Sequence, residues 1–395
     1  MPGGVTLARH EDGRVVLVDD ALPGETVEVE LTSRRGTEHG TVVRVVEPSP
    51  VRVEPRCPHA REGCGGCDLA ALDHSSELGG QLEAKLDLVR DALRRTGKWA
   101  EPNVVAGPAL DPWGFRTSLR VAVEDGHAAL RQRRSQDLVA LDHCLVAHPL
   151  LDELVHEGRF GDAEEVVLRV GAATGERLAL VTPRAAGVSL PGDVRVIGAD
   201  ELAAGKRAWI HEEVAGRRWR ISAESFFQTR PDGAAALVDT VRDLAGRVLH
   251  RDSGILIDAY GGVGLFAGAL LADRPQWKGL VAEHAPSSTA DARVNLADLD
   301  VKVVTTTVER LRAPRADIVV ADPSREGLGK RAADVLSGTG AARLILVSCD
   351  PAAAGRDVAL LTGFGYRAKV SVAVDLFPHT HHTEVVTSFH LEDSP

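Results

Sequence analysis

The sequence predicts an α/β protein: a mostly parallel sheet covered by helices on both faces, preceded by a small β-barrel and a β-rich middle region. Three observations predict it. From about residue 250, near-continuous apolar strands alternate with helical stretches, the pattern of a parallel sheet buried on both sides. The chain then closes on two long strand candidates separated by a short polar stretch, "PHTHH". The first 48 residues alternate apolar and polar positions in short runs divided by turn residues. At 395 residues the chain exceeds one ordinary core, so three domains are expected: 1–48, 49–215 and 216–395.

The first region reads as strands at Arg14–Val18, Thr26–Leu31 and Gly40–Val46, punctuated by Asp12–Gly13, Pro23–Gly24 and Gly36. So many short strands suggest a small barrel of the oligonucleotide-binding kind. The second region opens with a loop and a helix within Ser76–Gly97, apolar at Leu82, Leu86, Val89 and Leu93. It continues with strands at Leu119–Val123, Val166–Val170 and Leu178–Thr182. In the third region strands are expected at Ile255–Tyr260, Leu280–Glu283, Val301–Thr307, Ile318–Ala321 and Leu344–Ser348. Tyr366–Phe377 and Thr383–Leu391 follow. These last two must be antiparallel, because parallel neighbours need a long crossover. A parallel sheet that ends in one reversed hairpin is the arrangement of class I, Rossmann-like methyltransferases.

Composition excludes some functions. The net charge of −11 argues against a protein that coats nucleic acid by overall charge. Arginine runs at Arg34–Arg35, Arg131–Arg134 and Arg217–Arg220 read as solvated surface or as a local basic face. No signal-peptide core and no stretch of about 20 apolar residues is present, so a cytoplasmic protein with no membrane partner is expected. Structural disulfides are then not expected, and the cysteines point to metal binding or chemistry.

"ILIDAYGGVGLFAGAL" (Ile255–Leu270) reads as strand, glycine-rich turn and helix start, where the backbone can approach a ligand. Glu283 ends the next strand and is placed to accept hydrogen bonds from ribose hydroxyls. Together they point to a nucleoside cofactor. The glycine pattern alone does not choose between a dinucleotide and S-adenosyl-L-methionine; the C-terminal hairpin favours the latter.

Cys57, Cys64 and Cys67 fall within "CPHAREGCGGCDL", and Cys144 lies in "LDHCLVAHP". Four thiols suit a tetrahedral sulfur site, either zinc or iron–sulfur. Three local ligands and one remote one favour a [4Fe–4S] cluster over the paired spacing of a zinc ribbon. The fifth cysteine, Cys349 in "LILVSCDPAAAGRD", ends a parallel strand at the sheet edge where ligands bind. A thiolate there can add to carbon 6 of a pyrimidine and make carbon 5 nucleophilic. A base must then remove the carbon-5 proton, and Glu384 in "FPHTHHTEVV" is the candidate. Asp322 in "VVADPSREGLG" either bonds the cofactor or target base or caps a helix.

With these motifs the chain resembles the bacterial RNA uracil-5 methyltransferases, the family of the 23S rRNA and tRNA 5-methyluridine enzymes. The likeness runs over nearly the whole chain. It implies a TRAM domain at 1–48, an iron–sulfur domain at 49–215 with Cys57, Cys64, Cys67 and Cys144 as ligands, and a methyltransferase domain at 216–395. It implies Gln228 in "ESFFQTR", Tyr260, Glu283 and Asp322 as S-adenosylmethionine contacts, Cys349 as nucleophile and Glu384 as general base. The implied substrate is a uridine of RNA, with 23S rRNA favoured over tRNA, and the implied state is a cytoplasmic monomer. A non-catalytic RNA-binding protein on the same fold is the alternative. Five positions depart from the family pattern: Arg230, Gly261, Leu265, Ser324 and Asp350. Asp350, beside Cys349, is expected to raise the thiol pKa.

Overall fold

The computed structural model describes residues 4–34, 36–74 and 80–392. Arg35 of the first arginine pair and positions 76–79 of the expected first long helix lie outside the described residues.

Apolar strands organise the C-terminal half. Eight strands are hydrogen-bonded in the order Val301–Thr305, Trp277–Glu283, Gly254–Ala259, Ile318–Ala321, Arg343–Ser348, Glu384–Leu391, Tyr366–Val374 and Val104–Ala106. The first five run parallel, and Glu384–Leu391 runs against both of its neighbours. The expected reversed hairpin is therefore present. Successive side chains point to opposite faces, and both faces are dry. Leu256, Ile318, Val320 and Ile345 pack one way, with helix Pro231–Leu249 and helix Leu265–Leu271. Ile257, Val319, Ala321 and Leu344 pack the other way, with helices Gly329–Ser337 and Pro351–Gly363.

That second face also receives helix Gln81–Arg95, from the stretch that the sequence groups with residues 49–215. Its buried Leu86, Val89 and Leu93 follow helical spacing. Contact with helix Pro351–Gly363 is close at Gly355, where a Cβ would lie 2.7 Å from the Ala92 carbonyl oxygen. The three-residue strand Val104–Ala106 then joins the sheet edge, parallel to Tyr366–Val374.

Residues 5–47 form a four-stranded sheet in the order Val5–Arg9, Val15–Asp19, Thr37–Glu47, Thr26–Arg34, around Val16, Val18 and Ala21. A six-stranded sheet occupies 118–198 and packs on helix Pro149–Glu157 through Leu151, Leu154 and Val155. No helix among the described residues is long and apolar enough to cross a membrane.

Two of the arginine runs are internal fasteners. In hairpin Trp209–Val214/Arg217–Ser222, Arg220 Nε lies 2.6 Å from the fully buried Asp291, and Arg217 lies 2.7 Å from Asp298. Both carboxylates belong to the half built on the eight-stranded sheet. Arg133 pairs with Asp20, and Arg134 lies 2.5 Å from Asp19, which ties the four-stranded sheet to the middle region.

One ion pair is deeply buried. Lys85 Nζ donates to Asp375 Oδ1 at 2.6 Å and to the Phe377 carbonyl at 3.0 Å, and the Lys85 side chain is fully enclosed. Removing one partner of such a pair strands the other charge. Lys85→Met should therefore cost about 3 kcal/mol in urea unfolding, and adding Asp375→Asn should recover part of that loss. Equal stability of Lys85→Met and wild type would refute the assignment.

Candidate active site

The glycine turn starts where strand Gly254–Ala259 ends. Tyr260 (φ +61°), Gly262 (φ +54°) and Gly264 (φ +94°) all adopt left-handed backbone, which folds the chain sharply over the sheet edge. The turn is tied to the next strand: Gly262 N–H donates to Glu283 Oε2 at 3.0 Å, and Ala285 N–H donates to Glu283 Oε1 at 2.6 Å. Glu283 is thereby fixed with its carboxylate at the cleft. Beneath the turn, buried Asp258 accepts from Ala267 N–H at 2.9 Å, and its other oxygen has no partner. Burial pushes its carboxyl up to about 7.

The other reactive groups arrive at the same edge. Asp322 follows strand Ile318–Ala321, and its N–H donates to the Ala259 carbonyl at 3.2 Å. Cys349 follows strand Arg343–Ser348. In the neighbouring antiparallel strand Ser348 faces Val385, so the next step along the ladder brings Cys349 opposite Glu384. A cleft of about 630 Å³ is walled by Gln228, Tyr260, Glu283, Asp322, Cys349 and Glu384. All six residues singled out in the sequence for cofactor binding and catalysis thus meet in one cavity.

The cleft is electrostatically tense. Burial pushes the Cys349 thiol up to about 11, with Glu384 and Asp322 adding to the effect and Arg325 opposing it. Burial pushes Glu384 up to about 7, again against Arg325. Asp322 stands well above the usual carboxylate range through burial, then through Glu384 and Asp258. Glu384 Oε2 is buried without a hydrogen-bond partner. Asp350 behaves otherwise than its position beside the thiol suggested. Its Oδ1 accepts from Ala353 N–H at 2.7 Å and caps helix Pro351–Gly363. The carboxylates that raise the thiol are Glu384 and Asp322.

Two cleft residues were not singled out in the sequence. Arg325 lines the cleft and is the cation that opposes both upward shifts. Phe226 is 63% exposed although apolar, and it also lines the cleft. A large exposed aromatic next to Gln228 was a readable signal only once exposure was known.

The remaining cysteines converge elsewhere. Cys57, Cys64, Cys67 and Cys144 line one cavity together with Arg116. The loop is stitched to the six-stranded sheet by Gly65 N–H donating to the Arg131 carbonyl at 2.9 Å. A Cβ at Gly65 would lie 2.8 Å from that oxygen. Cys144 is held through its own N–H, which donates to Asp152 Oδ1 at 2.6 Å. Burial pushes Cys67 up to about 12 and Cys144 up to about 11, so these thiols stay protonated unless a cation joins them. Among the described residues, the group of His, Cys, Asp or Glu ligand atoms packed within 4.8 Å of one another is Asp142, His143 and His156. The rings of His143 and His156 stack at 4.2 Å and 14°, so their nitrogens do not converge on one ion.

No protein-family model matches the chain. Full-length relatives do. An uncharacterized RNA methyltransferase of Streptomyces avermitilis is 35% identical over 97% of this chain and 94% of its own length. Another, from Streptomyces coelicolor, is 34% identical over 97% of this chain and 89% of its own length. Among solved structures, the tRNA (uracil-54, C5)-methyltransferase of Pyrococcus abyssi, in complex with S-adenosyl-L-homocysteine, superimposes with a TM-score of 0.72. It covers 98% of this chain and 100% of that one, at 24% sequence identity. Its fold is the fold described above, and the Streptomyces relatives carry the assignment further: the chain belongs to the RNA methyltransferases.

Proposed function

We propose that the protein methylates carbon 5 of a uridine in ribosomal or transfer RNA, with S-adenosyl-L-methionine as methyl donor, acting as a cytoplasmic monomer. The observation that carries this reading is the meeting of Cys349 and Glu384, close enough for the carboxylate to raise the thiol, in the cleft that also holds the glycine turn. A thiol and a carboxylate facing one another across a cleft are what a pyrimidine needs if it is to be activated at carbon 6 and deprotonated at carbon 5. Nothing in the cleft favours the non-catalytic alternative.

Each group has one task. Glu283 and Gln228 bind the nucleoside and amino-acid parts of the donor, and Tyr260 and Asp322 complete its pocket. The bound donor supplies an electrophilic methyl on a sulfonium. Cys349 gives its proton to water and its sulfur bonds carbon 6. The ring electrons then form the carbon 5–methyl bond, and S-adenosyl-L-homocysteine leaves. Glu384 takes the proton from carbon 5, the carbon 6–sulfur bond breaks, and Cys349 departs as thiolate. Arg325 offsets the negative charge that this cycle places on sulfur and carboxylate. The target base must leave its stack, because a stacked base hides carbon 6 from a thiol.

The four-cysteine cavity fits a [4Fe–4S] cluster. A single zinc would draw the sulfurs to about 3.8 Å from one another, given a Zn–S bond of about 2.3 Å. Three sulfurs from one short loop and a fourth from a distant segment favour a cluster over that arrangement, and Arg116 beside them offsets its negative charge. No step of the methyl transfer uses it. Protein purified without oxygen should be brown and hold about four irons; a colourless protein with one zinc would refute the cluster.

Three further outcomes test the reading. With labelled donor and unmodified RNA, digestion to nucleosides should place the label in 5-methyluridine, and label in another nucleoside would refute the uracil assignment. Cys349→Ala should abolish turnover, whereas Glu384→Gln should accumulate a methylated, covalent protein–RNA adduct because elimination stalls. The pH profile should rise through about 7 as Glu384 ionises.

Stability should move the other way. A carboxyl raised in the folded state binds its proton more tightly there than in the unfolded chain, so its ionisation costs stability as pH rises from about 4.5 to about 7. Glu384→Gln should therefore be more stable than wild type at pH 8, by about 1–3 kcal/mol, and the difference should vanish below pH 4.5. Urea unfolding at both pH values checks this.

A further inference from the structure

Glu384 is the first residue of its strand and follows the loop 375–383. Its buried Oε2 has no partner, so the backbone leading into it must supply much of its placement. That backbone is held from outside, by the loop that carries Cys67.

Two contiguous residues after Cys67 make the contacts. Asp68 Oδ1 accepts from His381 N–H at 3.0 Å, and Asp68 Oδ2 lies 2.5 Å from His381 Nδ1. Leu69 N–H donates to the His379 carbonyl at 2.8 Å. Gln81, fully buried, braces the same point from helix Gln81–Arg95. Its Oε1 accepts from His379 N–H at 2.7 Å, and its Nε2 donates to the Leu72 carbonyl at 2.8 Å and approaches His379 Nδ1 at 3.2 Å. His379 Nε2 then faces the Pro112 carbonyl at 3.2 Å, and Trp113 stacks on the ring at 4.1 Å. This network fixes one tautomer, with Nδ1 accepting and Nε2–H donating. His379 itself sits at φ +66°, a left-handed turn that such bonds must pin.

We propose that Asp68, through His381, is a positioning residue for the general base: it fixes the loop that aims the Glu384 carboxylate at carbon 5. The proposal rests on the uridine reading above. It couples the cysteine loop to the chemistry through one side chain, three residues upstream of Glu384, without assigning that loop any reaction step. A misaimed base slows the last step, proton removal and elimination, more than it slows the attack by sulfur or donor binding.

The experiment compares Asp68→Ala, Asp68→Asn, His381→Ala and the Asp68→Ala/His381→Ala pair with wild type. Asp68→Ala should lower turnover by about tenfold or more while the dissociation constant for S-adenosyl-L-methionine stays within about twofold. The share of enzyme caught as a methyl-labelled covalent RNA adduct should rise. His381→Ala should do the same, and the double variant should be no worse than either single one. Asp68→Asn, which can still bridge both His381 nitrogens when the imidazole is neutral, should recover most of the activity. Hydrogen exchange of Asp68→Ala should speed up across 376–386 and stay unchanged in helix Pro351–Gly363. Wild-type turnover in Asp68→Ala, a loss with no rise in adduct, or faster exchange spread over the whole protein would overturn the proposal. If wild type gives neither 5-methyluridine nor adduct, the uridine reading fails and takes with it the role given to Asp68. Unchanged exchange across 376–386 in Asp68→Ala would refute the brace by itself.

Discussion

Asp258, Asp322, Glu384 and the Cys349 thiol share one desolvated edge of the sheet, and they cannot all be ionised together. Burial is the first cause of every upward shift among them, and repulsion from neighbouring carboxyls adds to it at Asp322 and Cys349. The resting cleft therefore holds protons that the chemistry must move. A thiol at about 11 is a poor nucleophile at neutral pH, and a carboxyl at about 7 is poised to give or take a proton there. Arg325, an exposed side chain at the rim, opposes both shifts. Binding a positively charged sulfonium inside this cleft would favour the ionised forms of both groups. On the proposed mechanism, donor binding and activation of Cys349 are then one electrostatic event.

The fold makes that congestion possible. Parallel strands end at a common edge, so residues just past Ala259, Ala321 and Ser348 are neighbours although far apart in sequence. The reversed strand adds the one group that a parallel strand would have placed at the opposite edge: Glu384 starts its strand where Ser348 ends its own. A methyltransferase sheet without the reversal could offer the thiol but not the facing carboxylate. The loop that makes the reversal, 375–383, is accordingly fastened by Lys85, Gln81 and Asp68, which lie 290, 298 and 313 residues before the loop residues they bind.

That separation explains what the sequence could and could not reveal. The sheet strands were readable because burial on both faces leaves near-continuous apolar runs, and Glu283, Asp322, Cys349 and Glu384 stand at their ends, whereas Gln228 and Tyr260 entered through the family resemblance. Strand Val104–Ala106 has three residues and no period to detect. The docking of helix Gln81–Arg95 onto the sheet was equally hidden, because an apolar stripe at helical spacing names no partner. Arg133, Arg217 and Arg220 looked like surface because their carboxylate partners are contributed by remote segments, 113, 81 and 71 residues away. Asp68 and His381, 313 residues apart, gave no signal at all.

The departures from the family pattern make physical sense in place. At Gly261 a Cβ would stand 2.7 Å from Val281 Cγ1 and 3.1 Å from Asp258 Cγ, so this version of the turn has no room for the cysteine that the family pattern expects. Arg230 is fully buried, ion-paired to Asp232 at 2.6 Å and set 4.3 Å over the Phe115 ring, which makes it a packing element behind Gln228. Asp350 is the informative case. An aspartate beside the nucleophile invites the conclusion that catalysis is compromised. Yet its oxygen is engaged with a backbone N–H at the start of a 13-residue helix, where the helix dipole welcomes a negative charge. An asparagine would cap the same N–H without the charge. Asp350 therefore caps the turn that presents Cys349, and the groups that set the thiol's resting state remain the two carboxyls of the cleft.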